Sequence, residues 1–312
     1  MDIQQQIKQL LDKFGSPSGI EFNQYNELLA VDIKNDSAEA TIFLQGSQVT
    51  KYQPKGQVPV LWLSEFCDYK KGSPLRGGIP ICWPWFSEFD RNPAAVKEQY
   101  SGPQTGHGFV RKLHWVLDSI HFPNEAITVL NLSLNITPNN DFPFTVRLGL
   151  SVTVGPSLEI EFRVLNKSST NFCFTSALHS YFTISDSANA SVAGLEGIDY
   201  LDTLDNWKKK SDADGFEFNA EVDRVYQNIP GEVRILDSTH DRSIVITNTN
   251  SPDIVIWNPW AEKAKRLGQF GDQEYKGMLC LENANLLENY CHLAPGEEYK
   301  TIINIKSLPG VR

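Results

Sequence analysis

Between residues 144 and 154 the chain alternates without a break. Phe144, Val146, Leu148, Leu150, Val152 and Val154 are apolar, whereas Thr145, Arg147, Gly149, Ser151 and Thr153 are polar or small. A period of two belongs to an extended backbone, whose side chains point to opposite faces in turn. The segment therefore reads as a strand with one dry face and one wet face. The neighbouring runs repeat the pattern: Leu130, Leu132, Leu134 and Ile136 against Asn131, Ser133 and Asn135, then Leu158, Ile160, Phe162 and Val164 against Glu159, Glu161 and Arg163. Three successive half-wet strands imply antiparallel pairing, because parallel strands are covered on both faces and read as continuous apolar runs. Further strands are expected at 40–44, 59–66, 114–121, 172–182, 243–248, 253–257, 277–283 and 299–306, joined by loops rich in Gly, Pro, Asn and Asp.

Helical spacing is confined to the start, where Ile3, Ile7, Leu10, Leu11 and Phe14 precede the breaker Gly15-Ser16-Pro17. No long helical segment alternates with the strands, which disfavours a parallel α/β sheet. The stretch 206–220, with Lys208-Lys209-Lys210 followed by acidic residues and Gly, reads as a solvated loop. The expected architecture is all-β: a helical leader over 1–20 and one β-sandwich domain over 21–312.

Composition limits the function. A net charge of −10 and a pI near 5.1 lack the basic field that nucleic acid or an anionic membrane surface requires. They leave room for a small anion held by a few local Arg side chains. The N-terminus shows no basic segment followed by an apolar core, and no apolar run approaches the roughly 20 residues needed to span a bilayer. Five cysteines, at 67, 82, 173, 280 and 291, form no C-x-x-C pair and read as reduced packing thiols of a cytoplasmic protein.

Strand parity points to a site. Across 172–182, Phe172, Phe174 and Leu178 share one face, while Cys173, Thr175, Ala177, His179 and Tyr181 share the other. Across 277–285, Leu279 and Leu281 point one way, and Met278, Cys280, Glu282 and Ala284 the other. Small neighbours beside an ionisable group leave space for a ligand. A carboxylate within Met278-Leu279-Cys280-Leu281 is partly buried, which raises its pKa toward the range of a general base. The competing readings are a core histidine bonded to a backbone carbonyl for His179 and an exposed edge-strand residue for Glu282.

Two loops add polar groups beside glycines. Arg76 precedes Gly77-Gly78 and the run Ile79-Pro80-Ile81-Cys82-Trp83-Pro84-Trp85-Phe86. Gly106-His107-Gly108-Phe109-Val110-Arg111 sets His and Arg four apart. Glycine lets backbone approach a ligand, although each loop taken alone reads more readily as an ordinary loop. The chain has no G-x-S-x-G elbow, H-E-x-x-H, P-loop or G-x-G-x-x-G, and no H-x-H pair.

Taken in order, these segments resemble the aldose 1-epimerase superfamily, and within it the hexose-6-phosphate mutarotase branch, from about residue 30 to 306. The landmarks are Arg76-Gly77-Gly78-Ile79-Pro80 with Trp83-Pro84-Trp85-Phe86, then His107-Gly108-Phe109-Val110-Arg111 and Leu178-His179-Ser180-Tyr181-Phe182. Gly194-Leu195-Glu196-Gly197 leads to Asp202, and Asp223-Arg224-Val225-Tyr226, Trp257-Asn258-Pro259-Trp260 and Cys280-Leu281-Glu282 complete the series. The resemblance implies a galactose-mutarotase-like β-supersandwich with its site on the concave face of a large antiparallel sheet. It implies His179 as general acid and Glu282 as general base. His107 would bind the sugar, Asp202 a hydroxyl, and Arg76 and Arg111 the 6-phosphate. The expectation is a cytoplasmic, monomeric isomerase of a small phosphosugar, without cofactor or metal. A mutarotase of unphosphorylated aldoses and a non-catalytic carbohydrate-binding sandwich are the alternatives, since a fold alone does not fix a function.

Overall fold

The computed structural model describes residues 2–211 and 218–310. Two eight-stranded antiparallel sheets dominate it. The first runs, in spatial order, Ala190–Ala193, Val233–Asp237, Arg242–Thr249, Glu298–Pro309, Leu158–Asn166, Val146–Val154, Ile127–Ile136 and Val116–Asn124. The three alternating runs of the sequence are neighbours in it, with Leu132 opposite Leu150 and Leu150 opposite Phe162. The second sheet runs Lys208–Ser211, Asp199–Asp202, Val222–Tyr226, Asp253–Asn258, Met278–Asn285, Ser176–Leu178 and Ile81–Cys82. Tyr181–Thr183 also pairs with Met278–Asn285. A four-stranded meander, Ile20–Tyr25, Leu28–Lys34, Ala38–Phe43 and Gln48–Pro54, packs alongside.

The dry faces of the sheets meet in one core. Leu132, Leu150, Phe162 and Ile303 from the first sheet join Ile254, Ile256, Leu279 and Leu281 from the second. The opposite face of the second sheet carries smaller clusters, one with Met278 and Cys280, another with Cys82, Ala177 and Ala284. The parity read from 172–182 and 277–285 is therefore the parity observed. Helix Ile3–Phe14 lays Ile3, Ile7, Leu10 and Phe14 against the core. No described helix is long and apolar enough to cross a membrane.

Several expectations need correction. Lys208–Ser211 is a strand paired with Asp199–Asp202, not a solvated loop, and residues 212–217 lie outside the described residues. The single strand expected at 172–182 is three short ones, Phe172–Phe174, Ser176–Leu178 and Tyr181–Thr183. The segment 59–66 forms only isolated bridges, Leu61 to Phe182 and Leu63 to Gly77. Leu28–Lys34 escaped notice because both of its faces are covered, which erases the alternation.

The Gly77-Gly78 pair is packed backbone to backbone. Gly78 has φ +62°, and a Cβ there would sit 2.2 Å from the Val49 carbonyl oxygen. Its N–H donates to the Trp62 carbonyl at 2.6 Å, and its own carbonyl accepts from the Tyr181 N–H at 2.8 Å. Gly78→Ala combines an unfavourable backbone conformation with a clash that only backbone movement relieves. We expect it to lower the unfolding free energy by about 2–4 kcal/mol in urea titrations; an unchanged midpoint would contradict this packing.

Candidate active site

Glu282 stands in the middle of Met278–Asn285, a strand buried along its whole length. Its backbone partner is Val255, and its side chain leaves the core for the opposite face. The strand beside it breaks after Leu178: the His179 N–H turns to the Pro80 carbonyl at 3.0 Å, and the Ser180 N–H folds back to Leu178. The break aims the His179 ring at Glu282, with Nε2 3.4 Å from Oε1. Tyr181 stacks on the imidazole almost in parallel, its ring centre 4.7 Å away and the planes 5° apart.

These groups line a cavity of about 370 Å³ that also receives Arg76, His107, Asp223 and Trp257. Larger grooves exist, one of about 920 Å³ beside Lys34 and Lys55, but that one gathers no buried titratable pair. His107 is held in the left-handed region, φ +63°. Its N–H donates to the Ser87 carbonyl at 2.8 Å, and its Nδ1 accepts from the Ser87 N–H at 3.2 Å, which leaves Nε2 to carry the ring proton. Gly108 follows at φ +68°, where a Cβ would lie 2.0 Å from the Trp83 carbonyl oxygen. Arg76 stands near Tyr181, where its charge opposes the upward shift that burial imposes on the Tyr181 hydroxyl.

Two expected residues lie elsewhere. Arg111 is not among the lining side chains; it donates to the Gly106 carbonyl at 2.8 Å, and its Nε is buried without a partner. Asp202 also stands outside the lining, engaged with Lys210 at 2.7 Å and with the Leu204 N–H at 3.0 Å.

The profile of the aldose 1-epimerase family matches residues 30–306. The chain belongs to that family. A Cenchrus ciliaris protein provisionally named glucose-6-phosphate 1-epimerase is 35% identical over 306 residues, covering 94% of this chain and 87% of that protein. An Escherichia coli protein of the same provisional name is 33% identical, covering 83% and 84%. The crystal structure of a provisionally named mutarotase from Salmonella typhimurium superposes with a TM-score of 0.84 at 29% identity, covering 94% of this chain and 95% of that one. A galactose mutarotase-like protein from Clostridium acetobutylicum, at 15% identity and a TM-score of 0.71, shows the same fold.

Within this epimerase fold the electrostatics of the pair are set first by burial. Removal from water disfavours charge on both partners, lowering the pKa of His179 and raising that of Glu282. His107, Arg111 and Arg76 push His179 further down, and Asp223 pushes Glu282 further up. Against this, the 3.4 Å contact favours imidazolium beside carboxylate. Each arrangement holds one proton between the two groups, so the pair is neutral as a unit. His179 Nδ1 and Glu282 Oε2 are buried without hydrogen-bond partners, and a bound hydroxyl would satisfy such atoms. His107 is lowered to about 3 by burial and by the two arginines, so it is a neutral hydrogen-bonding group.

Sequence reasoning passed over Asp223 and Trp257 as site residues. The signal was available: Asp223 and Val225, like Val255 and Trp257, are two apart on their strands and line the cavity together.

Burial raises the Asp223 carboxyl to about 6, with a smaller opposing effect from Lys263. Its folded pKa exceeds the unfolded one, so its stabilising contribution is complete only below the unfolded pKa near 3.8 and is lost as pH rises through about 6. Asp223→Asn should therefore be more stable than wild type at pH 7, by about 1–3 kcal/mol, and no more stable at pH 3.5. Urea unfolding at the two pH values checks this; an equal difference at both would remove the titration as its cause.

Proposed function

We propose that this chain interconverts the α and β anomers of a hexose 6-phosphate, with glucose 6-phosphate the first candidate, by opening and reclosing the sugar ring. The observation that carries the reading is the buried His179–Glu282 contact at the floor of a cavity that an arginine also enters. The relatives provisionally named glucose-6-phosphate 1-epimerase support the substrate class.

Glu282 as carboxylate takes the proton of the anomeric hydroxyl. The O–H electrons form the C1 carbonyl, the bond from C1 to the ring oxygen breaks, and His179 as imidazolium protonates the departing ring oxygen. Rotation about C1–C2 presents the other carbonyl face, and the reverse transfers close the ring as the second anomer. The pair starts and ends with one proton, and proton transfers alone suffice. Trp257 offers an apolar ring face and Asp223 and His107 polar partners for the hydroxyls. Arg76 reaches the phosphate, its planar fork suited to two charge-assisted hydrogen bonds. Arg111 acts from behind, through Gly106, on the loop that carries His107. Asp202, bonded to Lys210, helps hold the strand beside Asp223. Five free cysteines suit a reducing cytoplasm, and the site draws on one copy of the chain, which suits a monomer.

Activity should follow a bell-shaped pH profile. At low pH the pair gains a second proton and Glu282 no longer accepts; at high pH it loses its only proton and His179 no longer donates. The limbs belong to the coupled pair rather than to either residue. Glu282→Gln keeps the shape but accepts no proton, and anomer-exchange NMR should show a loss of at least ~10²-fold in a folded protein. Exchange near the wild-type rate would remove Glu282 from the role of base.

A protein of net charge −10 must hold a dianion with local cations. Arg76→Ala should weaken turnover of glucose 6-phosphate by about 1.5–3 kcal/mol while leaving slow turnover of plain glucose nearly unchanged. Equal losses on both substrates would assign Arg76 to the ring or the fold and point to an unphosphorylated aldose.

A further inference from the structure

The proton transfers leave one buried neighbour unused. Cys280 shares with Glu282 the cavity-side face of Met278–Asn285, two residues away, and its backbone pairs with Tyr181. That register brings His179 across to it. One donor atom each from His179, Cys280 and Glu282 lies within 4.8 Å of the other two, the one such cluster among the described residues. All three side chains are more than nine-tenths buried, and His179 Nδ1 and Glu282 Oε2 have no hydrogen-bond partner.

The donor types select a metal. Imidazole nitrogen, thiolate sulfur and carboxylate oxygen together suit a borderline-soft ion such as Zn²⁺, whereas Mg²⁺ and Ca²⁺ favour six or more oxygens. Zinc bonds of about 2.0–2.3 Å require the donors to draw in by roughly 1 Å, within reach of side-chain rotation. Three protein ligands leave a fourth position, and the cavity borders two of the three ligands, His179 and Glu282.

We propose that His179, Cys280 and Glu282 form an inhibitory site for a thiophilic divalent cation, Zn²⁺, that competes with the sugar. Binding releases two protons to solvent, that of the thiol and the one shared by the His179–Glu282 pair, and the metal takes the lone pairs of the imidazole nitrogen, the thiolate sulfur and the carboxylate oxygen. The acid and the base are then both withdrawn. The inhibition rests on the roles proposed for His179 and Glu282; the metal site itself does not.

The test uses the full chain with two readouts. Co²⁺, a spectroscopic substitute for Zn²⁺, should give a thiolate charge-transfer absorption in wild type and in the control Cys173→Ser. The control matters because Cys173 lies opposite His292 on a separate two-stranded sheet. The absorption should vanish in Cys280→Ser, with Cys280→Ala as a second variant and circular dichroism as the check on folding. His179→Asn, which keeps the thiol, should lose it too. In anomer-exchange NMR, Zn²⁺ should inhibit, a chelator should reverse it, and more substrate should demand more Zn²⁺, while Mg²⁺ has no effect. Relative to its own uninhibited rate, Cys280→Ser should need at least tenfold more Zn²⁺. No cobalt absorption in wild type, or the same Zn²⁺ sensitivity in the Cys280 variants, overturns the site. A cobalt absorption that depends on Cys280 in a wild-type protein without anomer exchange leaves the metal site standing and removes the proposed activity instead.

Discussion

The strand Met278–Asn285 is buried on both faces, and its alternation divides the molecule. Leu279 and Leu281 fasten it to the central core, while Cys280 and Glu282 emerge on the opposite face toward the cavity. A shift of one residue in its register would send a carboxylate into the hydrocarbon interior and a leucine into the cavity. Burial of an unpaired charge is expensive enough that the same hydrophobic effect which closes the core also fixes where the carboxylate stands. Glu282 is 1% exposed and His179 7%, and their facing atoms stand 3.4 Å apart.

Around that strand, positioning falls to backbone more than to side chains. The break after Leu178, the left-handed turn at His107 and Gly108, and the tight Gly77-Gly78 approach each place one functional side chain through main-chain hydrogen bonds. Side chains add to this: Tyr181 stacks on His179, and the charge of Arg76 acts on both.

How much of this was legible follows from what alternation reports. Where one face is wet, as in Val146–Val154 and Leu158–Asn166, period two appears in the residues themselves and strand positions follow. The same parity set His179 and Glu282 each on the small-residue face of its own segment, and the structure brings the two into contact. Leu28–Lys34 is covered on both faces and gave no such signal. The three lysines at 208–210 looked like a loop because an edge strand paired along one side tolerates solvent-exposed charge on both faces. Arg111 and Asp202 show a different limit. Order along the chain marks a loop near a site, but only coordinates show that Arg111 bonds to Gly106 and Asp202 to Lys210.

The position of Glu298–Pro309 bears on how this molecule is made. It follows every other described strand in sequence, yet it lies inside the first sheet, between Arg242–Thr249 and Leu158–Asn166. During synthesis those two strands wait with open edges, and the sheet exists as two half-sheets until residues 298–309 leave the ribosome. Open edges of this kind invite pairing with other chains. Folding is therefore a late, long-range event with a vulnerable interval before it, and the nascent chain is the form most in need of a chaperone.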